Sequence, residues 1–116
     1  MAPTSAAKAD ALSDLGTDRV VTCGEDLAGV LGTESVDLVV DNVAGDGFPT
    51  MLKLLRRGRR YTSSGAIAGP IVDLDMRDTY MKNISLIGTA PRDAPVGPSP
   101  FRCIEAGEIR PLLAAT

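Results

Sequence analysis

One segment limits the fold more than any other: Val36-Asp37-Leu38-Val39-Val40-Asp41-Asn42-Val43. Its middle is a continuous apolar run rather than a strict alternation, the pattern of a strand covered on both faces. Strands of that kind belong to parallel sheets joined by helical crossovers, and the flanking sequence supplies both. Spacing and breakers predict a helix over Ser5–Leu15, with Thr4 or Ser5 as cap and Gly16 as stop. A short strand Asp18–Cys23 and a short helix Glu25–Leu31 come next, the helix closed by Gly32. After the strongest strand comes a helix Phe48–Arg57, with Met51, Leu52, Leu54 and Leu55 inward and Gly58 as its end. Then come a strand Arg60–Ser64, a helix Asp73–Lys82 with Leu74, Met76 and Tyr80 inward, and a strand Ile84–Thr89. Ala90–Pro100 is a proline-dense loop, Arg102–Ala106 starts a helix, and Gly107–Leu113 is a tail.

The order α-β-α-β-α-β-α-β implies right-handed crossovers and one α/β domain over residues 1–116, although such a domain normally opens on a strand. The 116 residues suffice for one core. With no Trp and 3% aromatic residues, that core is aliphatic. The net charge of -3 argues against a nucleic-acid surface. The local cluster Lys53, Arg56, Arg57, Arg59, Arg60 reads as a solvated helix end rather than a polyanion site. Cys23 and Cys103 lie far apart and there is no His, so neither a zinc site nor a Ser-His or Cys-His pair is expected. Buried free thiols in a reducing cytosol are the default, which places the chain in the cytoplasm. "MAPTSAAKAD" lacks the apolar core of a signal peptide, and no apolar run reaches the roughly 20 residues that span a bilayer.

Five segments, in order, carry a family resemblance: "AAKADALSDLGTDRVV", "VDLVVDNVAG", "LLRRGRRYTSSGAIAGPIVDLDMRD", "NISLIGTA" and "EAGEIRPLLAA". Together they resemble the cofactor domain of medium-chain dehydrogenases/reductases, closest to the quinone-oxidoreductase-like and zinc-type alcohol-dehydrogenase-like branch. The resemblance implies a Rossmann fold of strand order 3-2-1-4-5-6. Asp18–Cys23, Val36–Val43, Arg60–Ser64 and Ile84–Thr89 would be its third to sixth strands. The sheet is then an incomplete Rossmann sheet, mostly parallel, of about four strands with helices on both faces.

The same resemblance nominates three cofactor contacts. Ser5 and Lys8 stand where relatives with a hydroxyl and an ammonium bind the 2′-phosphate of NADP; a plain cap and a solvated lysine explain them equally. Asn42 and Val43 would face the nicotinamide ribose; a turn in which Asn42 bonds its own backbone is the alternative. Ser64, Gly65 and Ala66 would border the nicotinamide carboxamide, because small side chains let a flat ring approach the main chain. A tight turn packed on a neighbour explains that smallness as well.

The family's first strand, its Gly-rich pyrophosphate loop and its separate substrate domain have no counterpart here. Gly45 and Gly47 form no such fingerprint, and Arg59 stands where relatives carry a second glycine. "MAPT" is at most the last scrap of a second strand. Asp18–Cys23 is then expected either to pair directly with Val36–Val43 or to dangle, and Val36–Val43 to present a long apolar edge. No catalytic acid or base is nominated, Tyr61 and Tyr80 being read as core or rim. The implied function is the C-terminal part of the cofactor domain of an NADP-dependent oxidoreductase, a quinone or enone/carbonyl reductase. This chain alone is expected to bind NADP weakly or not at all and to be inactive. A non-enzymatic remnant or dimerising module is the alternative. Ile84–Thr89 is the expected edge for a homodimer, with no nucleic-acid or membrane partner.

Overall fold

The computed structural model of the chain describes residues 2–90 and 98–109. Its elements are β1 Ala2–Thr4, α1 Ala9–Asp14, β2 Val20–Thr22, α2 Leu27–Leu31, β3 Val36–Asp41, α3 Phe48–Leu54, β4 Leu55–Ser63, α4 Met76–Tyr80, β5 Ser85–Gly88 and α5 Pro98–Glu105. Every strand pairing is parallel: β1 with β2, β3 with β4, and β4 with β5. This is the α/β architecture of a partial Rossmann-like fold. The strands fall into two sheets, β1-β2 and β3-β4-β5. The chain therefore opens on a strand, not on a helix. The segment expected to pair with Val36–Val43 or to dangle instead pairs with Ala2–Thr4, in the register Thr4 to Thr22.

Local chemistry accounts for most boundaries. Ser5 is extended and makes no side-chain cap bond; a 3-10 turn, Ala6–Lys8, leads into α1 instead. Asp26 caps α2 by accepting from the Ala28 N–H at 3.1 Å, and Gly32 closes it at φ 78. Pro98 and Pro100 fall in the first turn of α5, where no intrahelical donor is needed. That helix begins four residues before Arg102, inside the stretch expected to be loop. The rest of that loop and the end of the tail lie outside the described residues.

The largest departure is at Leu55–Arg57, expected as helix and observed as strand. Lys82 explains it. Its ammonium donates to the carbonyls of Leu52, Lys53 and Leu55 at 3.1, 3.3 and 3.1 Å. The Glu34 and Ser35 N–H groups donate to the Lys53 and Leu54 carbonyls at 3.0 and 2.8 Å. The last carbonyls of α3 are thus satisfied from outside, and the helix needs no further turn. Gly58 does not end the helix. It sits within β4 at φ 72, where the register jumps from Val36–Leu55 to Leu38–Arg60, a bulge that glycine permits. Four of the five basic residues, Arg56, Arg57, Arg59 and Arg60, are therefore on a bulged strand, and Lys53 alone is in the last turn of α3. Arg56 and Arg59 both pair with Asp37, at 2.9 and 3.0 Å, exposed contacts worth at most about 1 kcal/mol each.

The core is Val39, Phe48, Leu52, Leu55, Tyr61 and Ile84, with Val36, Met51 and Val72 packed against it. Val39 and Tyr61 are register partners on one face of the larger sheet, and α3 lies on that face. The opposite face carries Leu38 and Val40, 55% and 71% exposed. Among the described residues Val36–Val43 is thus not covered on both faces, and β3 is a free edge, as the apolar-edge expectation had it. Met76 and Tyr80 of α4, and Leu74 before it, are exposed rather than inward, with Thr79 the buried residue of that turn. Neither cysteine is buried: Cys23 is exposed and Cys103 half-buried. No helix among the described residues is long and apolar enough to cross a membrane.

Candidate functional site

The carboxyl ends of parallel strands are where open α/β sheets take ligands. Here the end of β2 and the end of β3 face each other across a cleft of about 370 Å³, lined by Thr22, Cys23 and Gly24 on one side and Val43, Ala44 and Gly47 on the other. A second groove of about 290 Å³ follows the free edge of β3 past Leu38, Val40 and Asn42.

The loops after β3 and β4 are zipped together. Ser64 N–H donates to the Asp41 carbonyl at 3.0 Å, Ile67 N–H to Asn42 at 3.1 Å and Ala68 N–H to Val43 at 2.8 Å. This brings Asn42 and Val43 beside Ser64, Gly65 and Ala66, so two of the three nominated groups form one platform. A Cβ on Gly65 would stand 3.2 Å from the Asn42 carbonyl oxygen. The smallness of Gly65 is thus explained by the neighbouring main chain, without a ligand. Val43 lines the cleft and Asn42 the groove. Ser5 and Lys8 form a separate turn after β1, the Lys8 N–H donating to the Ser5 carbonyl at 3.0 Å, with both residues exposed. That turn follows Thr4, whose partner Thr22 lines the cleft.

Asp41 organises the platform, and the sequence reading passed over it. It is buried. One carboxylate oxygen accepts from the Val43 and Ala44 N–H groups at 2.7 and 3.1 Å. The other accepts from the Tyr61 hydroxyl at 2.7 Å. The signal was available: an acid closing an apolar strand, two residues before a turn, is a candidate to bond the amides that follow it.

Burial opposes ionisation of Asp41, but the bonds from Tyr61, Val43 and Ala44 together outweigh it, and its pKa lies below the usual 3.8. Burial and the adjacent carboxylate push the Tyr61 hydroxyl well above its ordinary 10.0. The signs follow from linkage. The Asp41 contribution is present above pH 3.8 and lost as pH falls below it; the Tyr61 contribution is present below pH 10 and lost as pH rises beyond it. Urea unfolding between pH 5 and 2.5 should therefore show a shallower loss of stability for Asp41→Asn than for the parent chain. Equal slopes would remove Asp41 as a source of acid sensitivity.

Residues 2–102 match the family model for zinc-binding dehydrogenases. The chain belongs to that family. Solved structures of alcohol and quinone oxidoreductases share the fold. A Sinorhizobium meliloti protein assigned as an alcohol dehydrogenase is 40% identical, with a TM-score of 0.84 over 95% of this chain and 32% of its own. A thermostable alcohol dehydrogenase from Pyrobaculum aerophilum is 32% identical, TM-score 0.73, over 97% of this chain and 34% of its own. A mycobacterial quinone oxidoreductase, 24% identical with a TM-score of 0.75, covers 94% of this chain and 39% of its own and speaks to the fold alone. A comparison with curated proteins finds no match. This zinc-binding dehydrogenase chain spans about a third of the length of the solved structures it resembles.

Two groups associated with such dehydrogenases can be tested against these residues. Zinc does not fit: the sequence has no His, and among the described residues no three His, Cys, Asp or Glu side chains converge to hold a metal. A nicotinamide dinucleotide fits in part. The platform Asn42–Ala44 and Ser64–Ala66 offers main chain and small side chains suited to a flat ring and a sugar. The cleft beside it is lined by Glu25, Asp41 and Asp46 and, among the described residues, by no Lys or Arg, so these residues supply no cationic cradle for a pyrophosphate.

Proposed function

We propose that this chain is the C-terminal part of the cofactor domain of an NADP-dependent oxidoreductase acting on a quinone, an enone or another carbonyl compound. The observation that carries the reading is the convergence of the ends of β2 and β3 on one cleft, beside the zipped platform after β3 and β4. Bound NADPH supplies the hydride. This chain's residues orient it: the platform main chain receives the nicotinamide and its ribose, and the Ser5–Lys8 turn offers a hydroxyl and an ammonium to a 2′-phosphate.

A second reading is favoured by the free edge of β3 with its exposed Leu38 and Val40: a remnant that persists as an interaction module. The edge strand β5, with Leu86 and Ile87 partly exposed, is the surface through which a homodimer would form.

Titration of the purified chain with NADPH and NADH, followed by cofactor fluorescence, separates these readings. Millimolar binding with NADPH preferred, and loss of that preference in Lys8→Glu, is expected. Equal losses for both nucleotides would sink the phosphate role of Lys8. Micromolar binding would sink the remnant reading, and silence at millimolar concentration would sink autonomous cofactor binding.

A further inference from the structure

Tyr61 carries a hydroxyl that the core does not need. Its ring is 4% exposed and packs edge-on against Phe48, centroids 5.1 Å apart at 83°. A phenylalanine would fill that space. A buried hydroxyl is unfavourable unless partnered, and here the partner is one oxygen of Asp41 at 2.7 Å. The other oxygen of the same carboxylate takes two consecutive amides, Val43 and Ala44. Ala44 is held at φ 54, ψ -132, a conformation that alanine keeps only where its surroundings over-determine it. Those surroundings are the Asp41 carboxylate on its N–H and a bridge to Gly69. Core, carboxylate and loop thus form one chain of contacts: Phe48 to Tyr61, Tyr61 to Asp41, Asp41 to the main chain of the platform.

We infer that Asp41 and Tyr61 are a positioning pair: the Tyr61 hydroxyl fixes the orientation of the Asp41 carboxylate, which sets the main-chain geometry of Val43 and Ala44 and so the affinity of the platform for a nicotinamide ring and its ribose. The affinity half rests on the nucleotide reading above. The pair touches neither ring nor sugar in this scheme; it acts through the loop.

Tyr61→Phe is the deciding variant, because it keeps the ring in the core and removes one oxygen. Two readouts are taken on the folded chain: amide hydrogen exchange, and titration with reduced nicotinamide mononucleotide followed by the backbone amide shifts of Gly65 and Ala66. Tyr61→Phe is expected to raise exchange at Val43 and Ala44 about tenfold, with Val39 unchanged, and to weaken the mononucleotide about fivefold. Asp41→Asn keeps an oxygen for the two amides and a donor for Tyr61, and should stay within about threefold of the parent on both. Ile84→Val trims the same core without touching the pair and should leave both readouts alone. Parental exchange and affinity in Tyr61→Phe would overturn the inference, as would equal changes in Ile84→Val. If the parent chain shows no mononucleotide shifts, the nucleotide reading and the affinity half fail together. The exchange contrast then judges the positioning half on its own.

Discussion

Leu52→Ala is expected to lower the unfolding free energy by about 2–5 kcal/mol. Leu52 is 1% exposed and sits on the face of α3 that meets Val39, Leu55 and Tyr61 in the core. Removing its branched end takes away the transfer free energy of those carbons and leaves a void that α3 cannot close. The backbone of α3 is pinned at its far end, where the Leu52, Lys53 and Leu55 carbonyls accept from Lys82. A domain of this size is stable by only about 5–15 kcal/mol, so the loss is a large share of the total. A urea titration should show a lower midpoint with an unchanged slope. Leu15, 59% exposed, is the comparison: Leu15→Ala should stay within about 0.5 kcal/mol. Similar losses in both variants would mean that α3 does not carry the core.

Gly45→Val is expected to cost about 3 kcal/mol and to open the platform. Gly45 has φ 62, and a Cβ there would lie 2.9 Å from the Ala68 Cβ and 3.2 Å from its carbonyl oxygen. The left-handed backbone costs a residue with a Cβ about 1–2 kcal/mol, and forced overpacking adds about 1–3 kcal/mol. Ala68 cannot step aside cheaply, because its N–H is bonded to the Val43 carbonyl at 2.8 Å. The two loops must therefore part, and the Ile67 and Ala68 amides should lose protection from exchange first. Gly47 lies two residues on, has φ -75 and meets nothing within 4 Å of its would-be Cβ. Gly47→Ala should be neutral within about 1 kcal/mol. If Gly45→Val keeps both stability and amide protection, the close approach of the two loops does not hold them together.

Much of the fold was legible. The apolar run at Val36–Val43 and the alternation of helix and strand segments imply parallel pairing, because a strand leaving through a helix returns in the same direction. The nominated residues Asn42 and Val43 do meet Ser64, Gly65 and Ala66, since strand ends that are neighbours in a parallel sheet place their following loops side by side. Other features depended on partners remote in sequence. The end of α3 is set by Lys82, some thirty residues further on, so local propensity carried the helix too far. Met76 and Tyr80 have inward spacing on a helical wheel, yet only a short turn forms there, and Thr79 takes the buried place. Asp41 looks like a strand-end acid in sequence; that it is the hub of the platform depends on the Tyr61 hydroxyl reaching it from β4, two positions before its register partner Ser63.

The alternation of helix and strand from β2 onward and the glycine stops at Gly16 and Gly32 were written in the residues, because these are local matters of periodicity and backbone freedom; the core, expected to be aliphatic, is instead built around the Phe48–Tyr61 pair. The division into two sheets, the bare Leu38–Val40 flank and the Asp41–Tyr61 pair were decided only by the assembled chain. Hydrogen bonds and burial depend on which groups arrive opposite one another, and that is set by the register of β3 on β4 and by Lys82 closing α3.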